Sequence, residues 1–159
     1  MTLALIRTSF ETELNIMKRR YAYPVDLTPD EEGRVVARVP DLKGCVTDGA
    51  TREEALLEVA DALNTAIAMY LMDREPLPPP SPAGNRPVVS AGAVIAAKAA
   101  LHEALRAARL TNTALGERMG LPESEIRRML DPRHKTKIGR LEEALQVCGL
   151  RLEISIEAA

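Results

Sequence analysis

The chain has 159 residues, of which 28% are charged and 46% hydrophobic, with no Trp, one Phe and a net charge of −2. This is the composition of an ordinary globular chain, long enough for one domain or two small ones, and its cores must be aliphatic and alanine-rich. A net charge near zero argues against a chain that binds nucleic acid along its whole length, yet the charge is unevenly spread. Residues 17–75 carry 8 Lys/Arg against 12 Asp/Glu, and residues 118–140 carry 7 against 3. An acidic and a basic segment point to two separate jobs.

Cys45 and Cys148 lack metal-ligand spacing and read as small buried hydrophobes in a reducing compartment. No apolar run approaches the roughly 18 residues of a membrane span, and residues 1–20 lack a basic n-region. A cytoplasmic protein with no membrane contact is expected. Residues 1–16 precede the first strand pattern and read as a loosely attached extension, or as a segment upstream of a natural start at Met17.

Residues 21–28 alternate as a strand does, with Tyr23, Val25 and Leu27 on one face. Pro24 favours an edge position. Pro29 and Gly33 bracket an acidic turn, and residues 34–39 form the second strand of a hairpin. Residues 45–48 are a short third strand. Thr51 and Glu54 make a capping box, and Leu56, Val59, Leu63, Ile67, Tyr70 and Leu71 give the helix that follows one apolar face as far as about Asp73. Residues 76–87 hold six prolines and must be extended. Residues 86–91 can return as a fourth strand.

From Gly92 the pattern turns helical, with Val94, Leu101, Leu105 and Ala108 marking a face. Residues 111–130 then read as two short helices about a tight turn. Gly116 is small where helices touch, Gly120 supplies the turn, and Leu115, Met119, Ile126 and Met129 face inward. That order is the one found in DNA-binding helix-turn-helix units, although any helical hairpin shares part of it. Residues 131–135 are a basic loop, and Ile138, Leu141, Leu145 and Cys148 mark a last helix ended by Gly149. Leu150, Leu152, Ile154 and Ile156 then alternate on one face of a strand with no obvious partner in its own unit. Antiparallel pairing between two copies, giving a homodimer or higher homo-oligomer, is the expectation.

Tyr23-Pro24-Val25, Val39-Pro40-Asp41-Leu42, Gly44-Cys45-Val46-Thr47, Gly49, Thr51, and Glu53-Glu54-Ala55 together resemble the HicB family of antitoxins, as do Glu75-Pro76-Leu77-Pro78 and Pro80-Ser81. Lys98, Thr111, Leu115, Arg118-Met119-Gly120, Glu125-Ile126, Arg128, His134 and Thr136-Lys137-Ile138 resemble the helix-turn-helix carried by one branch of it. The resemblance implies an α+β chain. A β-β-β-α-β, partial ribonuclease-H-like module (21–75 with 86–91) would bind a HicA-type mRNA-cleaving toxin. A proline-rich linker (76–87) would lead to an all-α, Xre/Cro-like helix-turn-helix domain (92–159) with a C-terminal strand, which would bind operator DNA. Residues 1–20 lie outside the resemblance. The alternative is a stand-alone transcriptional regulator whose first module senses a ligand.

No enzyme, metal or cofactor is expected. Asp26, Asp41, Asp48 and Asp61 could serve a two-metal nuclease only by converging. Asp26 instead faces away from the apolar residues, and Asp41 suits local turn hydrogen bonds. The first module has no histidine for acid–base work. His102 reads as a partly exposed helical residue, and His134 as either a phosphate contact or a solvated loop residue. Glu123, Ser124, Arg127 and Arg128 are placed to reach base edges, with Arg128 preferred. Thr111, Asn112, Arg118, His134, Lys135 and Lys137 are placed for phosphates. Asp41, Leu42, Cys45, Thr47 and Glu75 are the expected toxin contacts.

Overall fold

The computed structural model describes residues 19–156. The element order is β1 (Ala22–Pro24), β2 (Asp26–Pro29), β3 (Val35–Arg38), β4 (Val46–Gly49), α1 (Arg52–Met72), β5 (Val88–Ser90), α2 (Ala93–Ala107), α3 (Asn112–Met119), α4 (Glu123–Leu130) and α5 (Ile138–Val147). The chain is thus α+β, a small sheet layer followed by helices. The segment before Met17 lies outside the described residues.

The first alternating stretch divides at Val25. Its start pairs antiparallel with β5, Tyr23 opposite Val89, and Val25 donates its N–H to the Pro87 carbonyl at 2.9 Å. From Asp26 onward the segment pairs with β3, which pairs with β4. One extended stretch therefore serves two ladders, and Pro24 sits where β1 has a single neighbour, so its missing N–H costs no ladder bond.

α1 starts as its sequence dictates. Thr51 Oγ1 accepts from the Glu54 N–H at 3.1 Å, and Glu54 Oε2 accepts from the Ala50 N–H at 2.6 Å. Ala55, Val59, Leu63, Ala66, Ile67 and Leu71 are buried against Tyr23, Val25, Ala37 and Val39 of the sheet. At 21 residues, α1 is long and apolar enough by composition to cross a bilayer, contrary to the reading that no such run exists. Its apolar stripe is already occupied by the sheet, as in the core helix of a globular unit.

The proline segment does not hang between units. Leu77 is buried in the sheet core, and the Tyr23 hydroxyl donates to the Pro78 carbonyl at 2.8 Å. α2 serves both cores. Ala99 and Ile95 pack with the sheet cluster, whereas Ala97, Leu101 and Leu105 pack with Leu115, Ile126, Met129, Leu141 and Leu145. Val94 and Ala108, expected on the apolar face, are exposed. The i, i+4 row through Ala97, Leu101 and Leu105 displaces them, because that row is the one aimed at the neighbouring helices.

α3 and α4 are eight residues each and meet across a turn. Gly120 takes φ 66°, the left-handed region. A Cβ on Gly116 would stand 2.6 Å from the Leu121 carbonyl oxygen, so only glycine lets the turn close on α3. α5 ends at Gly149, also at positive φ, with Leu150 N–H returning to Leu145 O at 2.9 Å. Beyond it the expected strand is absent: residues 150–156 form no ladder. Leu150 and Leu152 fold back onto the helical core, while Ile154 and Ile156 are 64% and 96% exposed. A lone edge has nothing to bond within its own chain.

Candidate functional site

The outer face of α4 is the best-defined chemical surface. Ile126, Met129 and Leu130 are buried beneath it, so Ser124, Arg127 and Arg128 must point outward, and all three are exposed. Arg127 pairs with Glu123 one turn earlier, its Nε 3.3 Å from Glu123 Oε1. This pairing, helped by an Asn112 side-chain hydrogen bond, holds the Glu123 carboxyl below its ordinary pKa. Two of the four expected base readers are therefore engaged with each other. Thr111 caps that start, its Oγ1 accepting from the Ala114 N–H at 3.1 Å.

The loop after α4 is built on a buried cation. Lys98, fully buried on α2, donates from Nζ to the carbonyls of Asp131 at 2.5 Å and His134 at 2.6 Å. Burial lowers its pKa, and the nearby Asp131 carboxylate partly offsets that. One turn along α2, His102 Nε2 lies 3.0 Å from the Leu130 carbonyl, at the last residue of α4. The Leu130 carbonyl can only accept, so the ring donates this bond from Nε2, and burial lowers the His102 pKa as well. His102 is thus a capping group for α4 rather than a bystander on its helix. Asp131 accepts from the Arg133 N–H at 2.9 Å and from its guanidinium, which holds the carboxyl down at about 2.

His134 is half-buried, with Nε2 3.2 Å from Arg128 Nη2. A nitrogen facing a guanidinium donor must accept, so His134 orients Arg128 and its Nε2 is not open to a phosphate. Lys135 and Lys137 are exposed beside it. Arg118 is exposed at the far end of α3, its charge felt by Cys148, apart from the group around α4. The fold thus gathers Asn112, Glu123, Arg127, Arg128 and the 131–137 loop, and leaves Arg118 aside.

The side chains expected against a toxin fare unevenly. Leu42 and Cys45 are buried in the sheet core, where burial also raises the Cys45 thiol pKa, so neither presents a surface. Asp41 does not bond locally as a turn residue would. Its Oδ2 accepts from Ser81 N at 3.0 Å and Ser81 Oγ at 3.1 Å, forty positions away, and so fastens the proline segment. Glu75 is exposed and Thr47 half-buried. Of the other carboxylates, Asp26 pairs with Arg86 at 3.3 Å, Asp48 pairs with Arg34, and Asp61 stands exposed on α1. They do not converge, and among the described residues no group of three His, Cys, Asp or Glu is placed to hold a metal.

Sequence reasoning passed over Arg74, Arg106 and Arg109. With Arg127, Arg128 and Arg133 they line an open cleft of about 900 Å³ between the end of α1 and α4. Arg106 Nη2 donates to the Arg74 carbonyl at 2.7 Å across its wall. The signal is faint: Arg106 lies in the last turn of α2, and Arg74 and Arg109 follow helix ends, where basic residues are common.

The family model described as "HicB_like antitoxin of bacterial toxin-antitoxin system" matches residues 22–101. "Antitoxin HicB 1" of Photorhabdus laumondii is 38% identical over 153 residues, 96% of this chain and 97% of the relative. At that coverage most of the segment before Met17 has a counterpart in the relative. "Antitoxin HicB" of Escherichia coli K12 is 34% identical over 133 residues, covering 83% and 96% of the two chains. "Antitoxin HicB" of Pseudomonas fluorescens is 34% identical over 142 residues, covering 87% and 94%.

Proposed function

The chain belongs to the HicB-like antitoxin family, and on that premise we propose that it acts by binding rather than by catalysis, in two ways. Its sheet unit, a partial ribonuclease-H-like module, covers and neutralises a HicA-type mRNA-cleaving toxin in the cytoplasm. Its helical unit, which follows the proline segment and β5, represses the chain's own operon as a helix-turn-helix.

The observation that carries the second role is the outward face of α4. Ser124, Arg127 and Arg128 project from a helix whose other side is buried, beside the exposed Lys135 and Lys137. α4 enters the major groove, Arg128 reads guanine, and Asn112, Lys135 and Lys137 meet phosphates. On operator DNA, Arg127 would have to leave Glu123 for a base or a phosphate. Toxin contact falls to exposed groups such as Glu75 and the β4 edge around Thr47, whose acidic surroundings suit a basic partner.

One experiment separates the roles. The chain is co-expressed with the adjacent reading frame and scored for growth rescue and for promoter binding. The variant Arg127→Ala with Arg128→Ala keeps rescue and loses specific promoter binding. Loss of rescue in that variant refutes separable roles, and a wild type that fails to rescue refutes the antitoxin reading.

Pairing of residues 150–156 between two copies accounts for the exposed Ile154 and Ile156 and would join two DNA-binding units, raising affinity through effective concentration. Deletion of residues 150–159 should convert the sedimenting species to monomer. An unchanged profile refutes strand pairing.

A further inference from the structure

We propose that the arginine cleft between the end of α1 and α4 is a second phosphate-binding surface, in which Arg74, Arg106 and Arg109 hold the backbone of the same duplex that α4 reads. The inference rests on the DNA reading of α4 and extends it to a part of the chain outside the helical hairpin.

Three observations carry it. The first is charge. Six arginines line the cleft against one carboxylate, Asp131. Arg127 and Arg133 are paired, but among the described residues Arg74, Arg106, Arg109 and Arg128 form no ion pair. Four guanidinium groups outside any ion pair, gathered at one place with Glu103 the carboxylate that feels Arg106, make a local positive field that attracts a polyanion in a chain of net charge −2.

The second is backbone conformation. Arg74 and Arg109 are the two non-glycine residues at positive φ among the described residues, at 56° and 49°. Each follows a helix C-terminus, where glycine takes that conformation more cheaply. Both line this cleft. The strained conformation throws two long cationic side chains off the ends of α1 and α2 toward the same space.

The third is the cleft's relation to α4. Arg127 and Arg128 form part of its wall, so a duplex seated on α4 lies at its mouth. A small anion deep in the cleft fits less well. Of the helix ends that border it, those of α1, α2 and α4 are C-termini, which carry partial negative charge and repel an anion brought close to them, against one N-terminus, that of α3 at Asn112. Arginines reaching from those ends to the rim escape that repulsion and meet a strand passing outside.

The test uses the full chain and the glycine double variant Arg74→Gly with Arg109→Gly. Glycine removes both charges and relieves both positive-φ positions, and the Arg106 bond to the residue-74 carbonyl survives. Affinity is measured against salt on the chain's own promoter duplex and on a scrambled one. Two lost phosphate contacts should make the log–log salt slope shallower by about 1.8 on both duplexes. Raising salt from 50 to 200 mM then costs the wild type roughly twelvefold more affinity than the variant. Arg127→Ala with Arg128→Ala should instead remove the preference for the promoter duplex. An unchanged slope in the glycine variant overturns the cleft proposal and leaves the DNA reading intact. Loss of stability with an unchanged slope assigns these arginines to the helix dipoles and overturns it as well. An unchanged slope together with lost binding of ATP makes the cleft a small-anion site. A wild type that binds neither duplex overturns both readings.

Discussion

The sheet unit and the helical unit close their cores with different chemistry. Around α1 the interior is aliphatic, with Tyr23 sending its hydroxyl to the Pro78 carbonyl. Around α4 it includes a fully buried ammonium, Lys98, whose bonds go to two loop carbonyls. The difference follows from helix length. α1 has 21 residues and a long stripe to bury, so packing does most to fix it once Thr51 and Glu54 cap its start. α3 and α4 have eight each, too short to be helical unaided. A short helix whose outer face is proposed to meet DNA needs its end and its following loop pinned, and Lys98 and His102 pin both.

The largest effect should therefore come from Lys98→Met. The substitution preserves length and apolar packing but leaves the Asp131 and His134 carbonyls without their donor. Each unpaired buried carbonyl costs on the order of 1–3 kcal/mol, partly offset because an ammonium no longer has to be buried. A net loss of about 2–3 kcal/mol is expected, confined at first to the helical unit. Hydrogen exchange should quicken in α4 and α5 before α1. Uniform quickening would show that the two cores unfold together and break the comparison.

Next is Gly116→Ala. Its Cβ would meet backbone, the Leu121 carbonyl oxygen, which cannot rotate away. α3 and α4 must separate slightly, costing about 1–3 kcal/mol and tilting α4. DNA affinity should fall with stability in a urea titration and a promoter-binding assay. Toxin neutralisation, assigned to the other unit, should be unchanged.

Which of these features could be read from the chain depends on how far apart the partners lie. The Thr51 box, the Gly120 turn and the inward Leu115, Ile126 and Met129 are local patterns, visible within a few residues. Lys98 belongs to the family pattern, but its sequence neighbours give it no role, because the carbonyls that hold it are 33 and 36 positions away. Asp41 misled for the same reason: a turn aspartate normally bonds nearby, and this one bonds Ser81. The alternation in residues 150–156 was legible, but a ladder needs a second strand that one copy does not supply. The Arg74 and Arg109 cleft was invisible since it joins two helix ends 35 residues apart.

The matched caps allow a finer comparison. Thr51 and Thr111 each accept from the N–H three residues on, at 3.1 Å, but only α1 has the reciprocal bond from Ala50 to Glu54. Replacing either threonine with Ala should cost about 1 kcal/mol. In α1 the remaining Glu54 bond and the six buried residues of its stripe should keep the helix start ordered. In α3 the same loss should fray the first turn and loosen Asn112, so that Thr111→Ala weakens DNA binding as well as stability. Equal exchange rates at both helix starts would argue that length plays no part.

The smallest expected effect is a pH dependence that belongs to the helical unit alone. Burial holds the His102 pKa below its ordinary value of about 6.5, with the Leu130 bond offsetting part of that and the Arg106, Lys98 and Arg74 charges adding to it. In the unfolded chain the ring titrates at its ordinary value. Below about pH 6.5 the unfolded state therefore binds the proton first, and stability falls as pH falls toward the lower folded value. Glu103 works in the opposite direction, since burial raises its carboxyl and the folded state takes up that proton first. Comparing wild type with a His102 variant between pH 7.5 and 6.0 separates the histidine from the carboxyl, which both proteins share. His102→Gln keeps a donor for the Leu130 carbonyl and cannot titrate. Its melting temperature should change less than that of the wild type across this interval, while the two proteins stay close at pH 7.5. If both fall in parallel, the proton is taken up elsewhere and His102 holds α4 without sensing pH.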